Sequence, residues 1–138
     1  AVAHHARIRK EAGELPARLE DTGGSFRDNP LPAGADVVTL VRILHDHPDG
    51  RVDLVLSRVF DALAPGGRVV VAEPMAGTRG AERVEAYFAM FLLAMGSGRL
   101  RTRAELSRHL RRAGFHRVAE HRTRNPLLVR VLSARKPA

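Results

Sequence analysis

Between Asp36 and Ala72 the chain carries an apolar run of strand length, a helical stripe, a Pro-Gly-Gly stop and a second apolar run. The first run, Asp36-Val37-Val38-Thr39-Leu40-Val41, is short and β-branched, the pattern of a strand buried on both faces. From Val52, apolar residues fall at 52, 55, 56, 59, 60 and 63, one face of a helix that Pro65-Gly66-Gly67 ends. Arg68-Val69-Val70-Val71-Ala72 then repeats the strand pattern. Two buried strands joined through a helix make a βαβ unit, which predicts a parallel pair with helices on both faces of an α/β sheet.

Flanking patterns extend this unit. Residues 2–13 read as a weakly amphipathic helix stopped by Gly13, and Arg18–Thr22 as a short strand ending at Gly23-Gly24. Asn29-Pro30-Leu31-Pro32, with Gly34 beyond, is a loop by its prolines. Residues 80–95 predict a helix with apolar positions 84, 87, 88, 91, 92 and 95. Thr102–Ala113 predict another, with Thr102 as N-cap, Glu105 completing a capping box and Gly114 as C-cap. Val118–Arg122 and Leu127–Ala134, split by Asn125-Pro126, predict an antiparallel hairpin at the sheet edge.

The 138 residues suffice for one domain with a real core, and the 44% hydrophobic and 28% charged fractions are those of an ordinary soluble globular protein. With no cysteine, disulfides and thiolate metal sites are excluded, and a cytoplasmic location is expected. No apolar run nears the roughly 20 residues of a membrane-spanning helix, and no signal peptide is expected. The net charge of +8 raises the question of a nucleic-acid partner. Against it, the basic residues are scattered, only Lys10 and Lys136 are lysines, and one Tyr with no Trp leaves little to stack on bases. Two alternatives of another class stay open: a nucleic-acid module using Thr102–Phe115 as recognition helix, and an interaction or strand-swapping element.

In sheets of this kind, ligands sit beyond the carboxyl ends of the strands. His45-Asp46-His47-Pro48-Asp49 follows the first strand and Glu73-Pro74 the second. Ionisable groups at neighbouring strand ends suit a general base with its orienting carboxylate. The plainer expectation for Asp46 and Asp49 is helix N-terminal charge, since a helix begins near Val52. His45, His47 and Asp49 have no second ligand cluster to complete a metal site, so no metal is expected. His4-His5 and the Arg108, Arg111, Arg112 set read as solvated helix faces.

Ala35-Asp36-Val37-Val38, Arg42-Ile43-Leu44-His45-Asp46-His47-Pro48-Asp49, Ala62-Leu63-Ala64-Pro65-Gly66-Gly67-Arg68, Val71-Ala72-Glu73, Arg101-Thr102 and Ala113-Gly114-Phe115 together resemble the S-adenosylmethionine-dependent O-methyltransferases. Gly23-Gly24-Ser25-Phe26, Glu73-Pro74-Met75-Ala76-Gly77-Thr78 and Tyr87-Phe88 through Leu92-Leu93-Ala94-Met95-Gly96 draw the resemblance toward the bacterial carotenoid members. The resemblance implies a Rossmann-like class I methyltransferase sheet with a terminal antiparallel hairpin. It implies His45 as general base and Glu73, 28 residues on, as its orienting carboxylate. It also implies S-adenosylmethionine as cofactor, with Ser25, Phe26 and Arg42 beside it. A small hydroxylated acceptor, a carotenoid or else a phenolic or polyketide metabolite, would be lined by Tyr87, Phe91 and Met95. A homodimer is implied for the full-length protein, with no nucleic-acid partner.

The sequence departs from the family pattern in several places. Leu100 stands where a second Glu is common, His47 where plant members have Trp, Ser25 where an acid follows Gly-Gly, and Val41 where a Lys is usual. The family's glycine-rich loop and N-terminal dimerisation domain have no counterpart in residues 1–138. The chain, which opens without methionine, is therefore expected to be the C-terminal portion of a catalytic domain. Alone it is expected to bind S-adenosylmethionine poorly.

Overall fold

Two strands joined through a helix form the centre of the computed structural model, which describes residues 9, 11, 13, 20, 22–26 and 28–138. The helix expected over 2–13, the strand expected over 18–22 and the His4-His5 pair lie outside the described residues, isolated positions aside. β1 (Ala35–Val41) runs parallel to β2 (Leu63–Glu73), in register from Val37 opposite Arg68 to Val41 opposite Ala72. α1 (Asp49–Ala62) makes the crossover. β2 also pairs antiparallel with β6 (Arg130–Arg135), and β6 with β5 (His116–His121), giving the order β1-β2-β6-β5. The expected parallel pair and terminal hairpin are both present.

The core lies under one face of this sheet. Val52, Leu56 and Val59 of α1 are fully buried against Val69 and Val71 of β2 and Leu132 of β6. Leu106 and Leu110 of α3 (Arg103–Arg112) and Phe115 complete the cluster. Full burial of each such side chain contributes about 1.5–3 kcal/mol, so this contact set dominates the favourable side of folding. Lys136, one of the two lysines, donates to the carbonyls of Phe60 and Leu63 at 2.7 Å each, satisfying acceptors that the end of α1 leaves open.

Several boundaries differ from the sequence expectation. β1 is not buried on both faces: Leu40 is buried, but Val37 and Val41 are 56% and 57% exposed. Among the described residues β1 pairs only with β2 and stands first in the sheet order, and α1 and α3 share a core on one side of the sheet. α1 begins at Asp49 rather than near Val52, and it ends at Ala62. Leu63 already belongs to β2, and the register slips between Ala35 and Val37 because Pro65-Gly66-Gly67 is absorbed as an irregularity inside the strand. Leu127 and Leu128 form a turn, held by Leu128 and Val129 amides donating to the Asn125 carbonyl, so β6 begins only at Arg130.

The local signals for α3 are realised. The Thr102 hydroxyl accepts from the Glu105 amide at 3.2 Å and Glu105 accepts from the Thr102 amide at 2.8 Å, both halves of the capping box. That backbone amide, the Thr102 hydroxyl and Arg99 hold the Glu105 carboxyl down at about 2. Ala113 is the C-cap, and Gly114 follows at φ +99, where a Cβ would also press on the Phe60 ring. The presumed solvated arginine face is partly paired, since Arg112 donates to Asp53 at 2.9 Å. Just beyond the carboxyl end of β2, β3 (Met75–Ala76) pairs parallel with β4 (Arg101–Thr102) in a separate two-residue ladder. α2 (Glu82–Met95) lies between these two strands in sequence and buries only Phe88 and Leu92.

Candidate active site

β1 and β2 end side by side, and the site grows from those ends. Arg42 continues β1 by donating its amide to the Ala72 carbonyl at 2.9 Å, then turns the chain with φ +55. That turn delivers Leu44–Asp46 as a single 3-10 turn over the end of β2. Glu73, the last residue of β2, is 1% exposed and receives this turn. Its Oε1 accepts the amides of Ile43 at 2.9 Å and Leu44 at 2.7 Å. Its Oε2 lies 2.5 Å from Nδ1 of His45, itself 5% exposed.

An ionised carboxylate only accepts, so His45 donates from Nδ1 and keeps its lone pair on Nε2. The other ring contacts leave that nitrogen with two neighbours of opposite character. Phe88 sets its ring edge-on to the imidazole, with centroids 5.9 Å apart. Asp46 Oδ1 stands 3.3 Å from Nε2. An imidazolium formed at His45 is therefore flanked by two carboxylates, with the Phe88 ring packed on the side toward α2. The arrangement can accept a proton at Nε2 and stabilise the resulting cation.

The remaining candidates are placed less uniformly. Arg42 stacks over Phe88 at 5.2 Å, so it joins the His45 cluster through that ring. Phe26 packs on His47, with centroids 5.4 Å apart, and Arg58 donates to the Phe26 carbonyl. The Ser25 amide donates to the Asn29 side chain, and both Ser25 and Phe26 line a cleft of about 210 Å³ with Gly23, Gly24 and Leu31. Tyr87 meets Phe88 edge-on and lines a cleft of about 400 Å³ with Arg42, Arg83 and Leu128. Phe91 and Met95 are exposed along the same side of α2. The opposite side of that helix, through Glu85, Ala89 and Leu92, borders a larger groove of about 760 Å³ that continues along residues 96–100.

The sequence did not point to the role of Arg101. It is 2% exposed and holds Asp49 from Nε at 2.9 Å and from Nη2 at 2.7 Å. Asp49 is thus an ion-pair partner rather than a bare helix-end charge. Hydrogen bonds from Arg101 first, and Arg99 second, keep its carboxyl at about 2. Arg101 also donates to the carbonyls of Leu44 and His47, on either side of His45. Backbone acceptors carry no sequence signature, and only the Arg101-Thr102 pair itself was visible.

The fold and the buried histidine–glutamate pair at its strand ends define an α/β domain of Rossmann-like, class I methyltransferase type. Residues 1–116 match the O-methyltransferase domain family, and the chain belongs to that family. It is 44% identical over 126 residues to the demethylspheroidene O-methyltransferase of Rhodobacter capsulatus, covering 91% of this chain and 32% of that protein. The Cereibacter sphaeroides protein of the same name is 43% identical, covering 93% and 34%. Mouse acetylserotonin O-methyltransferase is 37% identical, covering 91% and 32%. The chain thus spans about a third of the length of these relatives. Among solved structures, the mitomycin 7-O-methyltransferase MmcR superposes with a TM-score of 0.85 at 27% identity, over 98% of this chain and 39% of that one. Human N-acetylserotonin methyltransferase, solved in complex with SAM, gives 0.78 at 25% identity, over 94% and 37%.

Proposed function

We propose that this chain carries the proton-accepting side of an S-adenosylmethionine-dependent O-methyltransferase site, acting on a hydroxyl of a small apolar acceptor, a hydroxylated carotenoid. The observation that carries this reading is the buried 2.5 Å contact between His45 Nδ1 and Glu73 Oε2, with Nε2 left to accept a proton. Two relatives above 40% identity bear the name demethylspheroidene O-methyltransferase, which supports the acceptor class.

The cofactor, when bound, supplies an activated methyl carbon. Ser25, Phe26 and Arg42 would offer it polar, aromatic and charged contacts. The cleft at Ser25 and Phe26, about 210 Å³, is smaller than the roughly 300–1,000 Å³ of small-molecule pockets, so these residues fit one wall of the site rather than the whole of it. His45 takes the hydroxyl proton on Nε2, and Glu73 holds the ring and stabilises the imidazolium. A tertiary alcohol is much less acidic than a phenol, so proton removal would accompany attack by the oxygen. Tyr87, Phe91 and Met95 would line the acceptor. They belong to an apolar helix side that would also serve a homodimer, and the protein is proposed to be cytoplasmic. Among the described residues no helix is long and apolar enough to cross a membrane.

The test is methyl transfer by the full-length protein from labelled S-adenosylmethionine to a hydroxylated carotenoid and to simple phenols. His45→Ala should lower kcat by about 10²–10⁴-fold. Transfer to phenols alone would discard the carotenoid, and undiminished activity in the variant would discard His45 as the base.

A further inference from the structure

The Leu44–Asp46 turn that carries His45 has almost no means of holding its own shape. A three-residue 3-10 turn has poor internal geometry, and its one internal hydrogen bond is His47 amide to Leu44 carbonyl at 3.3 Å. Yet every backbone carbonyl from Leu44 to His47 accepts a further bond, and all four donors lie between Ser97 and Arg101. Arg101 Nη1 donates to Leu44 at 2.8 Å, and the Arg99 amide to His45 at 2.9 Å. The Ser97 hydroxyl donates to Asp46 at 3.1 Å, and Arg101 Nη2 to His47 at 2.7 Å. Between these donors, Gly98 has φ +85, and a Cβ there would collide with the His45 carbonyl and the Asp46 backbone. The segment is laid along the turn so closely that only glycine fits at its centre.

We propose that Ser97–Arg101 is a strap that positions the His45 imidazole, with Arg101 as its principal positioning residue. This inference rests on the reading of His45 as the proton acceptor. Glu73 sets the tautomer and the Nδ1 side of the ring, while the strap sets the backbone from which the ring projects. Arg101 joins the two ends of the turn through one rigid, planar guanidinium, and Asp49 holds that guanidinium flat against them at 2.7 Å. The strap begins directly after α2, whose Phe88 touches the other side of the same imidazole. Apart from Glu73, the contacts that place the base thus come from one continuous stretch of chain, 88–101. A shift near 1 Å at a reacting group costs roughly a hundredfold in rate, so such a strap acts on turnover more than on binding.

The experiment is a double-mutant cycle on the full-length enzyme with Arg101→Lys, Ser97→Ala and His45→Ala. Arg101→Lys keeps the charge and loses the fork. It should lower kcat by about 10–100-fold, with KM for S-adenosylmethionine within about threefold of wild type. Ser97→Ala removes only the Asp46 bond and should lower kcat by a few-fold, which keeps the test open if the Arg101 variant does not fold. In the His45→Ala background neither substitution should lower kcat further, because there is no base left to position. Losses that multiply in that background would overturn the strap and leave His45 standing. Undiminished activity in His45→Ala would instead overturn the reading beneath it. Independently, nitrogen-15 spectra of the full-length protein should show the His45 imidazole Nδ1–H signal broadened or displaced by Ser97→Ala while backbone amides remote from the turn keep their positions. An unchanged signal would count against the strap.

Discussion

α1 and α2 have the same length, fourteen residues each, and opposite fates. α1 alternates charges with a narrow apolar stripe and buries Val52, Val55, Leu56, Val59 and Ala62. α2 is the more apolar sequence and buries only Phe88 and Leu92, leaving Leu93 at 82% and Met90 at 74% exposed. The difference lies in what each helix is packed on. α1 closes a βαβ crossover, so its stripe has a sheet to meet, and its burial is the fold's own. α2 connects the paired strands β3 and β4 instead of crossing between strands of the main sheet, and of its two buried residues Phe88 meets the His45 ring. Buried contact is therefore concentrated at α1, and the proposed acceptor lining at α2, although hydrophobicity alone ranks the two helices the other way.

The largest stability effect should come from α1. Leu56→Ala should lower unfolding free energy by about 2–5 kcal/mol in chemical denaturation of the chain, against within about 0.5 kcal/mol for Leu93→Ala on α2. Equal losses at the two positions would break the comparison. On the functional side, Phe88→Leu keeps apolar volume and removes the ring edge from His45. An aromatic contact of this kind contributes about 0.5–1.5 kcal/mol, so kcat of the full-length enzyme should fall about two- to tenfold with little change in melting temperature. The smallest effect concerns pH. Asp49 and Glu105 have ordinary values of 3.8 and 4.5 and are held at about 2. A carboxyl lowered on folding adds stability above its ordinary value and loses it as pH falls through the lowered one. Stability should therefore decline between about pH 4.5 and 2, and Glu105→Gln should flatten part of that decline.

Most of what is local was legible in the sequence. The 3.6-residue stripe of α1, the β-branched run of β2 and the Thr102–Glu105 box each follow from neighbours a few residues apart. His45 and Glu73 were legible because topology puts consecutive parallel strand ends together. The exposure of β1 was not, because an alternating or continuous apolar run does not say whether a neighbour is present to cover it. The strap was invisible for a different reason. Arg99, Ser97 and Arg101 reach across about fifty residues to main-chain carbonyls, which every residue type presents alike. Leu127 and Leu128 looked like strand because their apolarity outweighed the Asn125 turn, whose carbonyl accepts the amides of Leu128 and Val129.

The central claim is that Glu73 fixes His45 as a proton acceptor at Nε2, and Glu73→Gln addresses it with the least change of shape. The glutamine oxygen can still accept the Ile43 and Leu44 amides, as Oε1 does at 2.9 Å and 2.7 Å. Its amide nitrogen then donates toward Nδ1 and forces the ring proton onto Nε2, the wrong tautomer for a base. The measurement is single-turnover methyl transfer by the full-length protein carrying this substitution, with melting temperature recorded alongside. The prediction is a rate lower by about 10²–10⁴-fold in a protein that melts near the wild-type temperature; a variant that transfers methyl at the wild-type rate would contradict the assignment of the pair.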